Sequence, residues 1–108
     1  MAAIAHTSGQ LTAFDESEFF AVNILSAEQR DLSSRFAKSA GERFQDVIWT
    51  PGETGSPLLD GALAVLECRV ERRLDAGDHR VLIGEALYSG ISGGHPLLYY
   101  RGAYHHLI

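Results

Sequence analysis

The first strongly apolar run of the chain, residues 19–25, predicts a buried strand that leads directly into a helix. Ser26 is expected to begin that helix, because its hydroxyl can accept the N–H of Gln29 while the Gln29 side chain reaches back, as in a capping box. Leu32 and Phe36 then lie four residues apart on one helical face, with charged side chains on the other. The pattern indicates a strand followed by an amphipathic helix.

The middle of the chain predicts a long β-hairpin. Apolar and charged side chains alternate along residues 62–74, which indicates a strand, although the same residues also fit a helical stripe. The sequence Asp-Ala-Gly-Asp that follows is typical of a turn, and residues 81–87 are again rich in strand-forming types, so the hairpin is favoured. Val70 is then expected opposite Ile83, and Gly84 predicts a bend or a close approach by another group.

The remaining segments are shorter. Residues 1–17 are small and polar without a clear period and predict a flexible lead-in to a domain over residues 18–108, although residues 11–14 could join a sheet edge. Residues 47–49 form a short apolar segment before a loop rich in glycine and proline, and residues 97–102 predict a last strand. Together these elements predict a mainly β fold, an antiparallel sheet that curls toward a barrel with one covering helix.

Composition narrows the class of protein. The 108 residues, 45% apolar and 21% charged, are ordinary for one soluble domain. A net charge of −5 argues against a nucleic-acid partner. No apolar run approaches the roughly 20 residues needed to cross a bilayer, and the first residues do not resemble a secretory signal. The single Cys68 excludes an internal disulfide and suits a reducing compartment, so we expect a cytoplasmic protein without a membrane partner.

Several motifs, taken in order, resemble one family. They are FAVNIL before the helix, LLDGALAVLEC and GDH in the hairpin, and PLLYYRGAY near the end. Together they resemble the flavin reductase domains, short-chain NAD(P)H:flavin oxidoreductases with an FMN-binding split barrel. The resemblance implies hydride transfer from NADH or NADPH to FMN or FAD, with the protein stacking and shielding the two rings. It further implies a homodimer and a flavin-dependent monooxygenase component that receives the reduced flavin.

The resemblance also implies cofactor contacts. His79, in the GDH turn, matches the family histidine beside the nicotinamide and flavin rings, and the alternative is a histidine hydrogen-bonded locally at a hairpin mouth. Phe36, Arg35 and Lys38 match the helix end that borders the flavin. By its spacing Phe36 is first a core residue, and the two cations would ordinarily lie on a solvated face.

Aromatic residues and an arginine cluster near the end of the chain. Tyr99, Arg101 and Tyr104, with Tyr100 between them, match family strands that lie at the dimer interface and close to the rings, and the interface role is favoured. On one strand, Tyr99 and Arg101 would face one side and Tyr100 the other. Asn23 lies within an apolar strand and needs hydrogen-bond partners, so we expect it to fix the helix start or a neighbouring loop.

One part of the family pattern has no match. The first strands of the family and their Ser/Thr-rich segment, which supply most donors to the flavin phosphate, find no counterpart before Phe19, so the domain is expected to be N-terminally truncated. Residues 52–55 superficially resemble a phosphate loop but lack the lysine and carry an acid. The alternative function is therefore a catalytically incompetent flavin-binding or dimerising remnant. The histidines and Cys68 show no zinc-ligand spacing, and no metal is expected.

Overall fold

The computed structural model describes residues 1–37 and 47–105, and most of their regular structure is strand. The elements are β1 (Ala2–Ala5), α1 (Leu11–Glu16), β2 (Phe19–Ile24), a 3₁₀ turn (Ala27–Gln29) that continues into α2 (Arg30–Ala37), β3 (Trp49–Pro51), β4 (Pro57–Leu59), β5 (Ala64–Ala76), β6 (His79–Ile91), β7 (Leu98–Tyr100) and β8 (Ala103–His105). Strands β1, β6, β5 and β2, in that order, form one antiparallel sheet, while β3–β4 and β7–β8 are separate hairpins. This arrangement confirms the mainly β, antiparallel class that the sequence predicts.

The predicted strand and helix start are both present. Strand β2 pairs with β5 along its whole length, and the chain then enters the 3₁₀ turn at Ser26. The Gln29 side chain accepts the N–H of Ser26 at 2.9 Å, so its carbonyl oxygen satisfies a donor that the helix itself leaves free. The prediction of a helix start at Ser26 is confirmed.

The β5–β6 hairpin is confirmed, and its turn is tight. Ala76 pairs with His79, which leaves Gly77 and Asp78 as a two-residue loop. Gly77 has φ of 60°, a conformation that glycine adopts without the steric cost of a side chain. The Asp-Ala-Gly-Asp sequence therefore supplies the residue that this turn requires.

The register within the hairpin differs from the prediction. Val70 pairs with Gly84, whereas Ile83 pairs with Arg72, because a bulge interrupts the ladder between Val70 and Arg72. The expected contact between Val70 and Ile83 is therefore wrong by one position. Nothing in an alternating apolar pattern marks the residue at which a strand bulges.

The core lies against one face of the four-stranded sheet. Its buried residues are Phe20 on β2, Cys68 on β5 and Leu82 on β6, and Val70 and Phe14 pack against them from the sheet and from α1. Removing these side chains from water drives the docking of β2 and α1 onto the hairpin. The inward orientation predicted for Cys68 is confirmed.

Residues 1–17, expected from the sequence to form a flexible lead-in, contain β1 and α1. Strand β1 pairs with β6 from Ala2 opposite Leu82 to Ala5 opposite His79. Residues 11–14, which could have joined a sheet edge, lie in α1 instead. Strand β1 is rich in alanine and short, so neither periodicity nor strand propensity distinguishes it from a loop.

Two further segments form hairpins that the sequence did not indicate. The stretch expected as a Gly/Pro-rich loop after residues 47–49 is the β3–β4 hairpin. The single strand expected over residues 97–102 is β7, a turn and β8, because Arg101 and Gly102 adopt φ values of 52° and 77°. Consequently Arg101 lies in the turn and does not share a strand face with Tyr99. Within the described ranges, no helix is both long and apolar enough to cross a membrane.

Candidate functional site

A cavity of about 630 Å³ lies where β2, both helices and the β3–β4 hairpin meet. Phenylalanines form much of its wall, with Phe14 from α1, Phe20 from β2 and Phe36 from α2. Thr54 and Ser56, from the loop between β3 and β4, contribute polar atoms, and among the described residues none that lines the cavity is charged. The volume falls within the range of small-molecule sites, and the lining favours a flat, largely apolar ligand.

Asn23 holds the β3–β4 hairpin against the edge of β2. Its Nδ2 donates to the carbonyl oxygen of Pro57 at 3.1 Å, and its Oδ1 accepts the N–H of Leu59 at 2.8 Å. One side-chain amide therefore makes the pair of bonds that a neighbouring strand would make. The structural role expected for Asn23 is confirmed: it fixes the adjacent hairpin beside the cavity.

Glu67 anchors the loop between β3 and β4. Its carboxylate accepts the N–H of Thr54 at 2.9 Å, the hydroxyl of Thr54 at 2.7 Å and, more weakly, the N–H of Glu53 at 3.3 Å. The residue is only 3% exposed. The bonds from Thr54 hold the pKa of Glu67 below its ordinary value, against the opposing effect of burial.

Sequence reasoning missed this role for Glu67. The alternation along β5 placed its side chain on the solvated face, whereas the loop folds over that face and buries it. A signal was present in the resemblance of residues 52–55 to a phosphate loop. That loop does bind an anion through its N–H groups, but the anion is a carboxylate of the same chain.

The C-terminal hairpin rests on α2. The Tyr104 hydroxyl donates to Ser33 Oγ at 2.9 Å, and the Arg30 guanidinium lies 4.9 Å from the centre of the Tyr104 ring. The Tyr99 ring meets Tyr104 edge to face at 5.1 Å. Hydrogen bonding to Ser33, followed by Ser34 and the charge of Arg30, lowers the pKa of the Tyr104 phenol. Tyr99 and Tyr104 are thereby placed beside the helix that carries Phe36.

His79 begins β6 at the tip of the long hairpin. Its Nδ1 lies 2.7 Å from Asp78 Oδ1, and this bond is the main reason that the pKa of Asp78 is lowered. The imidazole is half-exposed and does not line the 630 Å³ cavity. Its neighbour Arg80 binds Asp15 of α1 at 2.6 Å, so α1 connects this end of the hairpin with the cavity wall.

The other described residues that were predicted to contact the cofactor lie at different places in the fold. Arg35 precedes Phe36 on α2, and Lys38 lies outside the described residues. Arg101, in the β7–β8 turn, stacks its guanidinium over Tyr100 at 5.4 Å. The structure thus brings Phe36 to the cavity, whereas His79 and Arg101 lie elsewhere, and the cofactor contacts of all seven residues stay predictions. Among the described residues, no group of three acidic, histidine or cysteine side chains could hold a metal ion.

The sequence pattern of one protein family, described as "Flavin reductase like domain", matches residues 1–107. The chain belongs to this family. The resemblance of the FAVNIL, GDH and PLLYYRGAY motifs is therefore confirmed, and the curled antiparallel sheet is the scaffold of a flavin reductase like domain.

Individual relatives agree with this assignment. The reductase component of the flavin-dependent trigonelline monooxygenase of Acinetobacter baylyi is 40% identical over 104 residues, which are 96% of this chain and 34% of that protein. The FMN reductase (NADH) SmoA of Agrobacterium fabrum is 40% identical over 100 residues, 93% of this chain and 57% of that protein. This flavin reductase like domain thus spans between one-third and three-fifths of these two curated relatives.

A solved structure shows the same fold. Nitrilotriacetate monooxygenase component B from Mycobacterium thermoresistibile superimposes with a TM-score of 0.91 at 34% identity, over 98% of this chain and 61% of that one. The likeness extends across nearly all of this flavin reductase like domain.

Proposed function

We propose that the chain acts in an NAD(P)H-dependent flavin reductase of the cytoplasm. In this reaction NADH or NADPH transfers a hydride to FMN or FAD, and the reduced flavin passes to a partner monooxygenase component. The observation that carries the proposal is the cavity with Phe36 in its wall, found in a chain of the flavin reductase like family. Phe36 is also one of the three residues, with Arg35 and Lys38, that the family resemblance assigns to the flavin border.

The chemistry of the cavity suits the ring system of a flavin. Phe14, Phe20 and Phe36 offer aromatic surface for stacking, and Thr54 and Ser56 offer polar atoms at one side. Because the lining residues that the structure describes carry no charge, the phosphate of the cofactor is expected outside this part of the cavity. Arg35, next to Phe36 on α2, is the candidate for contact with that phosphate among the residues that the structure describes.

The bound flavin supplies the electron-accepting chemistry, and the residues of this chain supply position and shielding. Phe20 and Phe36 would orient the ring and exclude water from one of its faces. By the family resemblance alone, His79 would contact the nicotinamide, since its imidazole does not line the cavity. Tyr99 and Tyr100, which are 63% and 59% exposed, support the further proposal that β7–β8 contributes to a homodimer interface.

One observation favours a second candidate function, a flavin-binding or dimerising domain without turnover. His79 is hydrogen-bonded to Asp78 at the hairpin tip and is not in the cavity wall. A chain that binds flavin but holds this imidazole away from the ring would stack the cofactor without catalysing hydride transfer.

Two measurements on the purified protein separate these functions. Quenching of flavin fluorescence reports binding of FMN or FAD, and loss of absorbance at the reduced nicotinamide band reports turnover. Binding together with NADH or NADPH oxidation above the rate in free solution supports the reductase. Binding without oxidation supports the non-catalytic domain, and absence of both contradicts the two proposals together.

A further inference from the structure

We propose that Glu67 is a positioning residue whose carboxylate acts as an internal anion for the loop of residues 52–56. The carboxylate occupies the N–H groups that such a loop would otherwise offer to a phosphate, and thereby fixes one wall of the cavity. The effect on ligand binding rests on the proposed flavin function. The anchoring of the loop does not, and it is tested separately.

The contacts around Glu67 are those of an anion-binding loop. Two consecutive N–H groups, of Glu53 and Thr54, point at the carboxylate, and the Thr54 hydroxyl adds a third donor. The Gly52 N–H closes the loop by donating to the carbonyl oxygen of Ser56 at 2.9 Å. Backbone N–H groups arranged in a turn bind anions in this manner.

Hydrogen bonds compensate the charge of Glu67. Within the described residues its carboxylate makes no ion pair, and the cavity of about 410 Å³ beside it is lined by no lysine or arginine. A buried carboxylate is tolerated only where hydrogen bonds replace its lost hydration. The loop supplies those bonds to the buried carboxylate, and the carboxylate in turn supplies the acceptor for the N–H groups of the closed loop.

A short chain of contacts links Glu67 to the cavity. The Thr54 hydroxyl, which donates to Glu67 Oε1, lies 2.9 Å from Ser56 Oγ. Thr54 and Ser56 both line the 630 Å³ cavity, whereas Glu67 itself does not. Loss of the carboxylate would leave the loop donors without an acceptor and free this wall to move. Glu67 therefore acts on the cavity through the loop and not through the ligand.

Chemical rescue tests the anchoring without any flavin. In Glu67→Ala, added formate can occupy the vacated donors, so we expect formate to raise the thermal midpoint of this variant and to leave the wild type unchanged. Glu71→Ala removes an exposed carboxylate from the same strand and is the matched control. Equal effects of formate on all three proteins, or none on Glu67→Ala, would overturn the proposal.

Cleavage by a glutamate-specific protease gives a second measurement, because Glu53 lies within the anchored loop. The variant Glu67→Gln keeps the size of the side chain but removes its charge. We expect the protease to cut it after Glu53 about tenfold faster than the wild type, the factor that corresponds to the loss of one charge-assisted hydrogen bond. Glu71→Gln is the control and should be cut at the wild-type rate. Glu67→Gln decides the matter if Glu67→Ala fails to fold. Equal cleavage rates in the three proteins would contradict the anchoring.

Flavin titrations then separate this inference from the proposed function. We expect the Kd of FMN to rise about tenfold in Glu67→Gln, by the same loss of one bond, with kcat at saturating FMN unchanged. If the wild type binds no flavin but the formate and protease results hold, only the proposed function fails. If the wild type binds FMN and Glu67→Gln binds it equally well, the proposed effect on the cavity fails.

Discussion

The Phe20 ring occupies the space that a side chain at Gly84 would need. A methyl group at Gly84 would lie 2.7 Å from Cε1 of Phe20 and 3.0 Å from Cβ of Cys68. The close approach that a glycine within β6 predicts is therefore real, and the approaching group is the Phe20 ring, which reaches over β5 from β2. The absence of a side chain at Gly84 therefore makes room for the Phe20 ring on one face of the sheet.

Gly84→Ala is expected to lower the free energy of unfolding by about 1–3 kcal/mol, the cost of overpacking a closed core. Urea denaturation measures this change. Gly90→Ala, on the same strand, is the matched control, because the one described atom near a methyl there is Cγ2 of Val65, at an ordinary 3.4 Å. Equal losses in the two variants would show that the cost comes from glycine replacement in β6 and not from Phe20.

Asn23→Asp is expected to weaken the attachment of the β3–β4 hairpin. The variant keeps an acceptor for the Leu59 N–H but loses the donor to Pro57 and places a carboxylate against a carbonyl oxygen. We expect the free energy of unfolding at neutral pH to fall by about 1 kcal/mol, the lower end of the range for an unsatisfied polar group, because Asn23 is only partly buried. If urea denaturation gives the wild-type value, the amide bridge is not needed for stability.

Because the pKa of Glu67 is lowered in the folded chain, its contribution to the free energy of unfolding is lost as the pH falls. The unfolded chain takes up this proton near its ordinary value of 4.5, and the folded chain takes it up at lower pH. The contribution is therefore complete above pH 4.5 and is lost as pH falls through the folded pKa. In Glu67→Gln, the free energy of unfolding should decline less steeply over that interval.

Urea denaturation between neutral and acid pH measures that slope. Asp75 and Asp78 also have lowered pKa values, from hydrogen bonds to Arg80 and His79 respectively, and contribute equally to wild type and variant. Glu71→Gln removes a carboxylate from an exposed position of β5 and serves as the control. Parallel curves for Glu67→Gln and wild type would contradict the assignment of the slope to Glu67.

Gly52→Ala and Glu67→Ala should be coupled. A methyl at Gly52 would overlap the Glu67 carboxylate, which cannot move away without breaking its bonds to Thr54. We expect Gly52→Ala to cost about 1–3 kcal/mol in the wild type, as overpacking does, and close to nothing in the Glu67→Ala background. A double-mutant cycle on unfolding free energies gives the coupling directly, and strict additivity would refute it.

His79→Ala tests the predicted contact with the nicotinamide. If the imidazole donates one hydrogen bond to it, kcat/KM for NADH should fall about tenfold, while the Kd of FMN stays at the wild-type value. His6→Ala, which removes the nearby imidazole bonded to Asp75, is the control. Unchanged kcat/KM in His79→Ala would assign this residue to the hairpin turn alone.

The elements that could be predicted from sequence are those whose signals are local. The capping partners Ser26 and Gln29 are three residues apart, and the Gly77 turn lies within its own hairpin. Glu67 shows the limit, because its burial depends on a loop that precedes it by 13 residues and folds over the strand. A bulge such as that between Val70 and Arg72 also follows from packing against other strands and leaves no mark in the alternation.

The residues of the candidate site also divide into those with a local sequence signal and those whose placement depends on other segments. The place of Phe36 could be predicted, because its spacing from Leu32 marks the apolar face of α2 and the family resemblance assigns it to the flavin border. It does line the cavity. Arg101 did not share a face with Tyr99, since the pair Arg101-Gly102 forms a turn within what reads as one apolar strand. Asn23 could be identified as a buried amide in need of partners, but its partners in β4 could not be named from the sequence.

The two-residue turn at Gly77 and Asp78 also bears on the order of assembly. Near this turn, the paired residues of β5 and β6 are separated by only a few positions in the sequence, whereas β1 must pair with residues more than 70 positions away. Closing small loops costs less chain entropy than closing large ones, and topologies with local contacts form faster. The long hairpin would therefore nucleate first, and the two flanking strands would join a template that already exists.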